Sequence, residues 1–346
     1  MAENTVYVIG AGASCEIDMP VGNELKDLIA KTLLMKFGKY DIEGGNHDLY
    51  RALKLHTKDE KTELNEYLVE CRHISDNMPL AISIDNFLDT EKENKRLSVC
   101  GKIAIVDSIL KAEKKSIVYV DPSKRKKRID FSKLGSTWYL PFFQSLTENL
   151  SAGDLPARFS KIALIIFNYD RCVEYFLINA LKNYYRLEHK DARDILSNLS
   201  IIHPYGTVGE LPSSELNSQD GTPYGHVLEH YSYVEQSNLI RTFTEGTSEE
   251  KYEELQQWMS TASRLVFLGF AYHRINMELL SNAGGNPYDN RKQVTCYGTA
   301  YGSSESDQRS IRSAIDSMYL NETVIHLEDE KCSQFYQNYS RSLGYD

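Results

Sequence analysis

The strongest constraint on the fold is a short apolar segment near the start of the chain that stops at a glycine-rich turn. Residues 5–9 are mostly β-branched or aromatic, and Gly10-Ala-Gly-Ala-Ser follows directly. Runs of this kind favour a strand, and the glycines mark a turn. After Pro20 and Gly22, apolar residues recur at helical spacing as far as Leu34. The pattern predicts a strand, a glycine loop and a helix, in that order.

Later segments repeat this pattern. They are residues 161–167 before Asn168-Tyr-Asp170, 199–202 before His203, 263–268 before Gly269, and 292–297 before Gly298. Most are followed by a candidate helix, for example at about 171–185. Strands that alternate with helices indicate an open parallel sheet covered on both faces. The predicted class is α/β, with a doubly wound, Rossmann-like and mostly parallel sheet.

Residues 39–159 interrupt the alternation with polar stretches of helical periodicity. We expect a large, mostly helical inserted domain there, so that residues 1–38 and 160–346 form one discontinuous Rossmann-like domain. Within the insertion, residues 116–121 and 128–132 flank a turn and the basic run 124–128. That arrangement predicts a hairpin with a solvated, charged tip.

The charge balance limits the partners. With 39 Lys+Arg against 49 Asp+Glu, the net charge is −10, which disfavours binding to nucleic acid or to an anionic membrane. No run approaches the roughly 18 apolar residues of a membrane span, and the N-terminus lacks the pattern of a secretory signal. We therefore expect a cytoplasmic protein without membrane contact.

The cysteines and histidines give no metal pattern. The six cysteines are scattered and none forms a C-x-x-C pair, so neither a zinc module nor disulfides are expected. His226 and His230 have the spacing of a helical metal pair, but Gly225 precedes them and no third ligand is evident. No metal site is predicted.

The glycine loop has the composition of a phosphate-binding turn. Its glycines let backbone N–H groups approach a diphosphate at a helix N-terminus. However, Cys15 replaces the third glycine of the dinucleotide motif, and no acidic residue ends a second strand about 20 residues later. A nucleotide or dinucleotide site and a purely structural turn both remain open, and hydride transfer is disfavoured relative to hydrolysis.

Three polar side chains follow two of the predicted strands. Asn168 supplies an amide, Asp170 a carboxylate, and His203 an imidazole that titrates near neutrality. Taken singly, Asn168 and Asp170 are typical of a helix cap, and a lone strand-end histidine is usually structural. Ligands of such sheets bind beyond the carboxyl ends of the strands, so together these residues predict a site.

In order and spacing, these clusters resemble the sirtuin superfamily, in particular the bacterial sirtuin-like NAD-consuming effectors of antiphage defence. The resemblance covers residues 5–35 and about 160–302, and the segment 83–88 is also similar to one in such proteins. It implies that Asn168 and His203 are catalytic and that Asp170 lines a nicotinamide pocket. The residues implied to bind NAD are Gly10, Ala11, Gly12, Ser14, Pro20, Asp85, Gly206, Gly269 and Phe270.

Two departures from the family pattern bear on the reaction. The paired zinc cysteines of deacetylase-type sirtuins are missing, and Pro204 and Tyr205 separate His203 from Gly206. Both favour NAD hydrolysis over deacylation. The resemblance thus implies an NAD glycohydrolase that makes nicotinamide and ADP-ribose, with NAD as substrate and no zinc.

The resemblance also implies regulation in antiphage defence by NAD depletion, a homo-oligomer and a possible motor ATPase partner. Two alternatives remain open. One is a non-catalytic module that binds NAD or ADP-ribose, or assembles with an ATPase. The other is an NAD-dependent protein deacylase or ADP-ribosyltransferase.

Overall fold

The computed structural model describes residues 4–38, 42–58, 60–124, 128–214, 220–242, 245–282, 287–288 and 293–345. The strands are β1 (Asn4–Ile9), β2 (Lys36–Phe37), β3 (Ile42–Gly44), β4 (Ile162–Ile166), β5 (Ser200–Ile202), β6 (Ala262–Leu268), β7 (Thr295–Thr299) and β8 (Val324–Glu328). Six of them form one parallel sheet in the order β5-β4-β1-β6-β7-β8, and β2 and β3 form an antiparallel pair. Counted within the large sheet, this is the order 3-2-1-4-5-6 of Rossmann folds. The predicted α/β class is confirmed.

Helices connect these strands and cover the sheet. They are α1 (Ala11–Ser14), α2 (Gly22–Leu33), α3 (His47–His56), α4 (Lys61–Asn77), α5 (Ile84–Thr90), α6 (Lys95–Lys115), α7 (Tyr139–Thr147), α8 (Leu155–Phe159), α9 (Cys172–Tyr185), α10 (His189–Leu196), α11 (Tyr233–Ser237), α12 (Glu249–Thr261), α13 (Arg274–Leu280), α14 (Glu305–Asp316) and α15 (Cys332–Tyr339). Short 3-10 helices lie at Cys15–Ile17, Phe131–Leu134 and His230–Ser232. In the described ranges, no helix has both the length and the apolar character to cross a bilayer.

Two inner strands of the sheet, β4 and β1, are buried on both faces. Every residue of β4 is buried, as its unbroken apolar sequence predicts. In β1, Tyr7 and Ile9 join one hydrophobic cluster while Val6 and Val8 join the other, because successive side chains of a strand point to opposite faces.

The structure corrects the edge of the predicted sheet. Gly298 lies inside β7 rather than at its end, and a Cβ there would stand 2.7 Å from the Tyr272 hydroxyl. The strand β8 was not predicted at all. Of its five residues only Leu327 is buried, and His326 and Glu328 interrupt its apolar residues, so it lacks the long apolar run that marks β4.

The insertion is mostly helical, but its predicted hairpin is wrong. Within residues 116–124 and 128–132, none of the described positions is in a strand. Asp121 accepts hydrogen bonds from the N–H and hydroxyl of Ser123 and so forms a local turn. Val118 and Ile129 are buried instead in the main cluster. Residues 125–127 of the basic run lie outside the described residues.

Sheet and insertion share hydrophobic contacts. The cluster that contains Tyr7 and Ile9 also contains Ile103 of α6 and Trp138 and Phe142 of the insertion. The rings of Tyr7 and Phe142 lie 5.1 Å apart, nearly edge to face. The boundaries at 38 and 160 stay a prediction.

A buried ion pair also joins the insertion to the sheet. The Arg171 guanidinium lies 2.6 Å from Glu113 Oε2, and the two side chains are 2% and 0% exposed. Arg171 also donates to the carbonyls of Gly209, Thr222 and Pro223. Since Arg171 follows the Asn168-Tyr-Asp170 segment, this pair anchors that segment to α6.

We predict that Glu113→Ala lowers the free energy of unfolding by about 3–5 kcal/mol, because it leaves the Arg171 charge buried without its partner. Urea unfolding measures this change. The control is Glu66→Ala, which breaks the exposed pair with Arg96 and should cost about 0–1 kcal/mol. Equal costs for the two variants would contradict the structural role of the buried pair.

Candidate functional site

The site is built around two loops that meet where the strand order reverses, after β1 and after β6. The N–H of Gly10 donates to Leu268 O at 2.9 Å, and the N–H of Gly12 donates to Gly269 O at 3.0 Å. A Cβ on Gly10 would lie 2.5 Å from Gly269 O. Close packing of the two loops therefore requires these glycines, and both N–H groups are used within the protein.

Gly269 is the most constrained residue of this contact. Its φ of +55° lies in the left-handed region, and a Cβ would stand 2.0 Å from the backbone nitrogen of Ala13. The Gly269 N–H donates to the Thr299 hydroxyl at 2.9 Å, which fixes the turn to β7. Trp138 of the insertion adds a hydrogen bond of 2.8 Å from its indole N–H to Ala13 O.

We predict that Gly269→Ala is far more destabilising than Gly302→Ala. Gly302 has a φ of +74° with nothing within 4 Å of its Cβ position, so its substitution should cost only the left-handed strain of about 1–2 kcal/mol. Gly269→Ala adds an overpacking cost of about 1–3 kcal/mol. Urea unfolding of both variants compares them, and equal losses would contradict the close approach of the loops.

Behind the glycine loop, side chains from two strand ends converge. The Asn168 amide donates to the Ser14 hydroxyl at 3.1 Å, and that hydroxyl lies 3.4 Å from Asp170 Oδ1. All three residues are buried, and Asn168 Oδ1 finds no hydrogen-bond partner among the described residues. An amide, a carboxylate and a hydroxyl thus form one polar cluster inside the protein.

Asp170 also makes a local contact with the backbone, although Arg171 rather than Asp170 is the N-cap of α9. Its Oδ1 accepts the Cys172 N–H at the start of α9, at 3.1 Å. Burial raises the pKa of Asp170, although the hydrogen bond from Cys172 acts in the opposite direction. A carboxyl in this environment holds its proton more readily than an exposed one.

His203 joins the same cluster through the backbone. Its Nδ1 lies 3.0 Å from the carbonyl oxygen of Asn168, and its Nε2 lies 2.6 Å from Glu174 Oε1. Burial lowers the pKa of His203, whereas the Glu174 carboxylate raises it. The net shift of the pKa is upward. His203 and Gly206 line a cavity of about 510 Å³. Glu174 was missed from the sequence, where nothing distinguishes it from a solvent-facing residue of α9.

Asp85 brings the insertion into contact with this segment. Tyr169, between Asn168 and Asp170, donates its hydroxyl hydrogen bond to Asp85 Oδ1. Burial raises the pKa of Asp85 to about 6, against the opposite effect of the Tyr169 hydrogen bond. Asp85 is thus placed beside the predicted catalytic residues, although it contacts Tyr169 rather than them.

We predict that Asp85 makes the protein less stable as the pH rises from about 4 to 6. An unfolded aspartate titrates near pH 4, whereas folded Asp85 keeps its proton up to about pH 6. The folded state binds more protons in this window, so the free energy of unfolding falls with rising pH. Asp85→Asn should remove that component in urea unfolding measured at several pH values.

The matched control is Asp76→Asn, at an exposed position of α4. The decisive quantity is the difference in unfolding free energy between the parent and Asp85→Asn. If that difference stayed constant between pH 4 and pH 6, Asp85 would not carry a displaced proton.

The remaining predicted binding residues are dispersed. Pro20 lines a second cavity, of about 550 Å³, whose lining also includes Cys15 and Lys111. Phe270 is buried and packs against Phe167 with ring centroids 5.1 Å apart. Ala11 starts α1 and is partly exposed.

No metal centre is evident in the described part of the chain, where no group of three or more His, Cys, Asp or Glu side chains is placed to hold an ion. His226 lies in a turn and His230 starts a 3-10 helix, so the two do not share an α-helical face. Metal binding by this pair is not supported by its backbone geometry.

Comparison with known proteins adds little to these observations. The chain matches no protein-family model, and no curated protein matches it. Among solved structures it is similar to a Sir2 protein in complex with the inhibitor EX-527, 2'-O-acetyl-ADP-ribose and a deacetylated p53 peptide. The two share 11% identity over 98% of this chain and 93% of that one, with a TM-score of 0.34. The fold assignment therefore depends on the order of the sheet itself.

Proposed function

We propose that this chain is a sirtuin-like NAD glycohydrolase that cleaves NAD to nicotinamide and ADP-ribose. The observation that carries the proposal is the convergence of Ser14, Asn168 and Asp170 with the His203 ring on the Asn168 carbonyl. The discontinuous catalytic domain of residues 1–38 and 160–346, interrupted by residues 39–159, is part of the same proposal.

In the proposed chemistry, Asp170, Asn168 and His203 each have one role. The bond between nicotinamide and ribose breaks through an oxocarbenium-like state, which needs nearby negative charge and a deprotonated nucleophile. Asp170 supplies the negative charge, and the unpartnered Oδ1 of Asn168 accepts the carboxamide N–H of nicotinamide. His203 takes the proton of the attacking water, a contribution of about 10²–10⁴ in rate.

The diphosphate is assigned to the glycine loop. Because the N–H groups of Gly10 and Gly12 donate to the loop after β6, we assign phosphate binding to the Ala11 N–H and to the Ser14 hydroxyl, which must first give up its hydrogen bond to Asp170. Ser14 and Asn168 are buried in the present conformation, so substrate binding requires the surrounding loops to open.

This requirement supports the further proposal that the enzyme is held at low activity until a cue acts on it. An unregulated NAD glycohydrolase depletes its own cell of NAD. We therefore propose a cytoplasmic effector of antiphage defence, active as a homo-oligomer or with a motor ATPase. Incubation of the purified chain with NAD, with and without the product of a neighbouring gene, tests for the partner.

We predict that His203→Ala and Asn168→Ala each lower nicotinamide release by about 100-fold or more, since each removes a group needed at the reacting bond. Chromatography of nicotinamide and ADP-ribose after incubation with NAD measures this loss. Circular dichroism verifies that each variant stays folded.

The matched controls are His226→Ala and Asn238→Ala, which replace exposed residues of the same types outside the cluster. Both should retain parental activity. Full activity in the two site variants would overturn the proposal, whereas tight NAD binding by the parent without any turnover would favour the alternative of a non-catalytic binding module.

A further inference from the structure

Both ring nitrogens of His203 are occupied, and their partners define where the protons lie. Nδ1 faces the Asn168 carbonyl oxygen at 3.0 Å. A carbonyl oxygen only accepts, so Nδ1 must carry a hydrogen. Any lone pair of the ring is therefore on Nε2, which faces Glu174 Oε1 at 2.6 Å.

A carboxylate oxygen and a nitrogen lone pair repel each other at this distance unless a proton lies between them. The contact therefore holds one proton, as imidazolium with carboxylate or as imidazole with carboxylic acid. In either form, Nε2 has no lone pair free to accept a proton from water.

The surroundings reinforce the pairing. Glu174 Oε2 is buried and has no hydrogen-bond partner among the described residues, so the contact with Nε2 is the one hydrogen bond of its carboxylate within them. Asp170 adds a weaker attraction for positive charge on the ring. The other charged groups that line the cavity beside the ring are Arg171, Arg193, Glu210 and Lys251.

Two of these cations are already engaged elsewhere. Arg171 is paired with Glu113, and Arg193 donates to the carbonyls of Leu211 and Pro212. Glu174 is thus the carboxylate in direct contact with the imidazole, on the wall of a cavity of about 510 Å³.

We infer that Glu174 is the positioning residue that decides when His203 becomes a base. The pair holds one proton in common, and it must lose that proton and separate before Nε2 can face the cavity with a free lone pair. This inference rests on the proposed function of His203 and adds the control of its protonation state.

The proton balance follows directly. The pair first releases its shared proton to solvent. Nε2 then takes a proton from water as the water oxygen bonds to the ribose carbon. The bond from that carbon to nicotinamide breaks, and its electron pair returns to the ring nitrogen of nicotinamide and neutralises the positive charge there.

Glu174→Gln tests the inference because it removes the charge that retains the proton but keeps the size of the side chain. We expect the acidic limb of the pH profile of kcat/KM for nicotinamide release to move to lower pH. At the foot of the parent's limb, the variant should be about tenfold faster or more, since an adjacent opposite charge changes proton affinity by about that factor. A uniform loss of activity with an unmoved limb would overturn the inference.

Glu210→Gln is the matched control, because Glu210 borders the same cavity without contacting the ring. Its pH profile should follow that of the parent. An equal movement of the limb in both variants would mean that charge at a distance, rather than the contact with Glu174, controls His203.

An NMR titration of the His203 ring separates this inference from the proposed function. The signal is assigned by its loss in His203→Gln, and its midpoint should fall in Glu174→Gln and in Glu174→Ala. If the midpoint falls while no NAD is cleaved at any pH, the pairing stands and the NAD glycohydrolase proposal fails. If the midpoint does not move, the inference fails whatever the activity.

Discussion

Two loops in the middle of the sheet approach each other so closely that a side chain would not fit at Gly10, Gly12 or Gly269. The turn after β6 passes over the glycine loop at Gly269, and backbone hydrogen bonds from Gly10 and Gly12 join the two. This contact fixes Ser14 at the start of the chain, and Ser14 in turn meets Asn168 from the neighbouring strand. The polar cluster exists because β1 and β4 are adjacent parallel strands whose carboxyl ends lie side by side.

The predictable elements are those in which the pattern of apolar residues directly reflects how the element is buried. The strand β4 is covered on both faces, so every residue is apolar and its position is evident. The strand β8 lies at the edge of the sheet, only Leu327 of it is buried, and it was missed. The segment around Val118 and Ile129 carries strand-like residues, yet these two are buried in the main hydrophobic cluster without forming a strand. Local pattern cannot distinguish such burial from pairing.

The same distinction applies to the candidate site. Asn168, Asp170 and His203 were identifiable because each follows an apolar strand. Glu174 lies on a helix among ordinary surface residue types, and only the fold brings its carboxylate to the His203 ring. Glu113 is 58 residues away from its partner in the chain. The sequence around an acidic residue does not indicate whether that residue makes a tertiary contact.

The ion pair between Glu113 and Arg171 has a mechanical consequence. Glu113 also accepts the backbone N–H groups of Arg171 and Gly225, so one carboxylate holds the end of α6, the start of α9 and a distant loop. A shift of α6 along its axis would leave the buried Arg171 guanidinium without its counter-ion, which costs free energy. The helix and the residues just after β4 are therefore coupled, and a force applied to the outside of the insertion is transmitted to the polar cluster at the carboxyl ends of the strands.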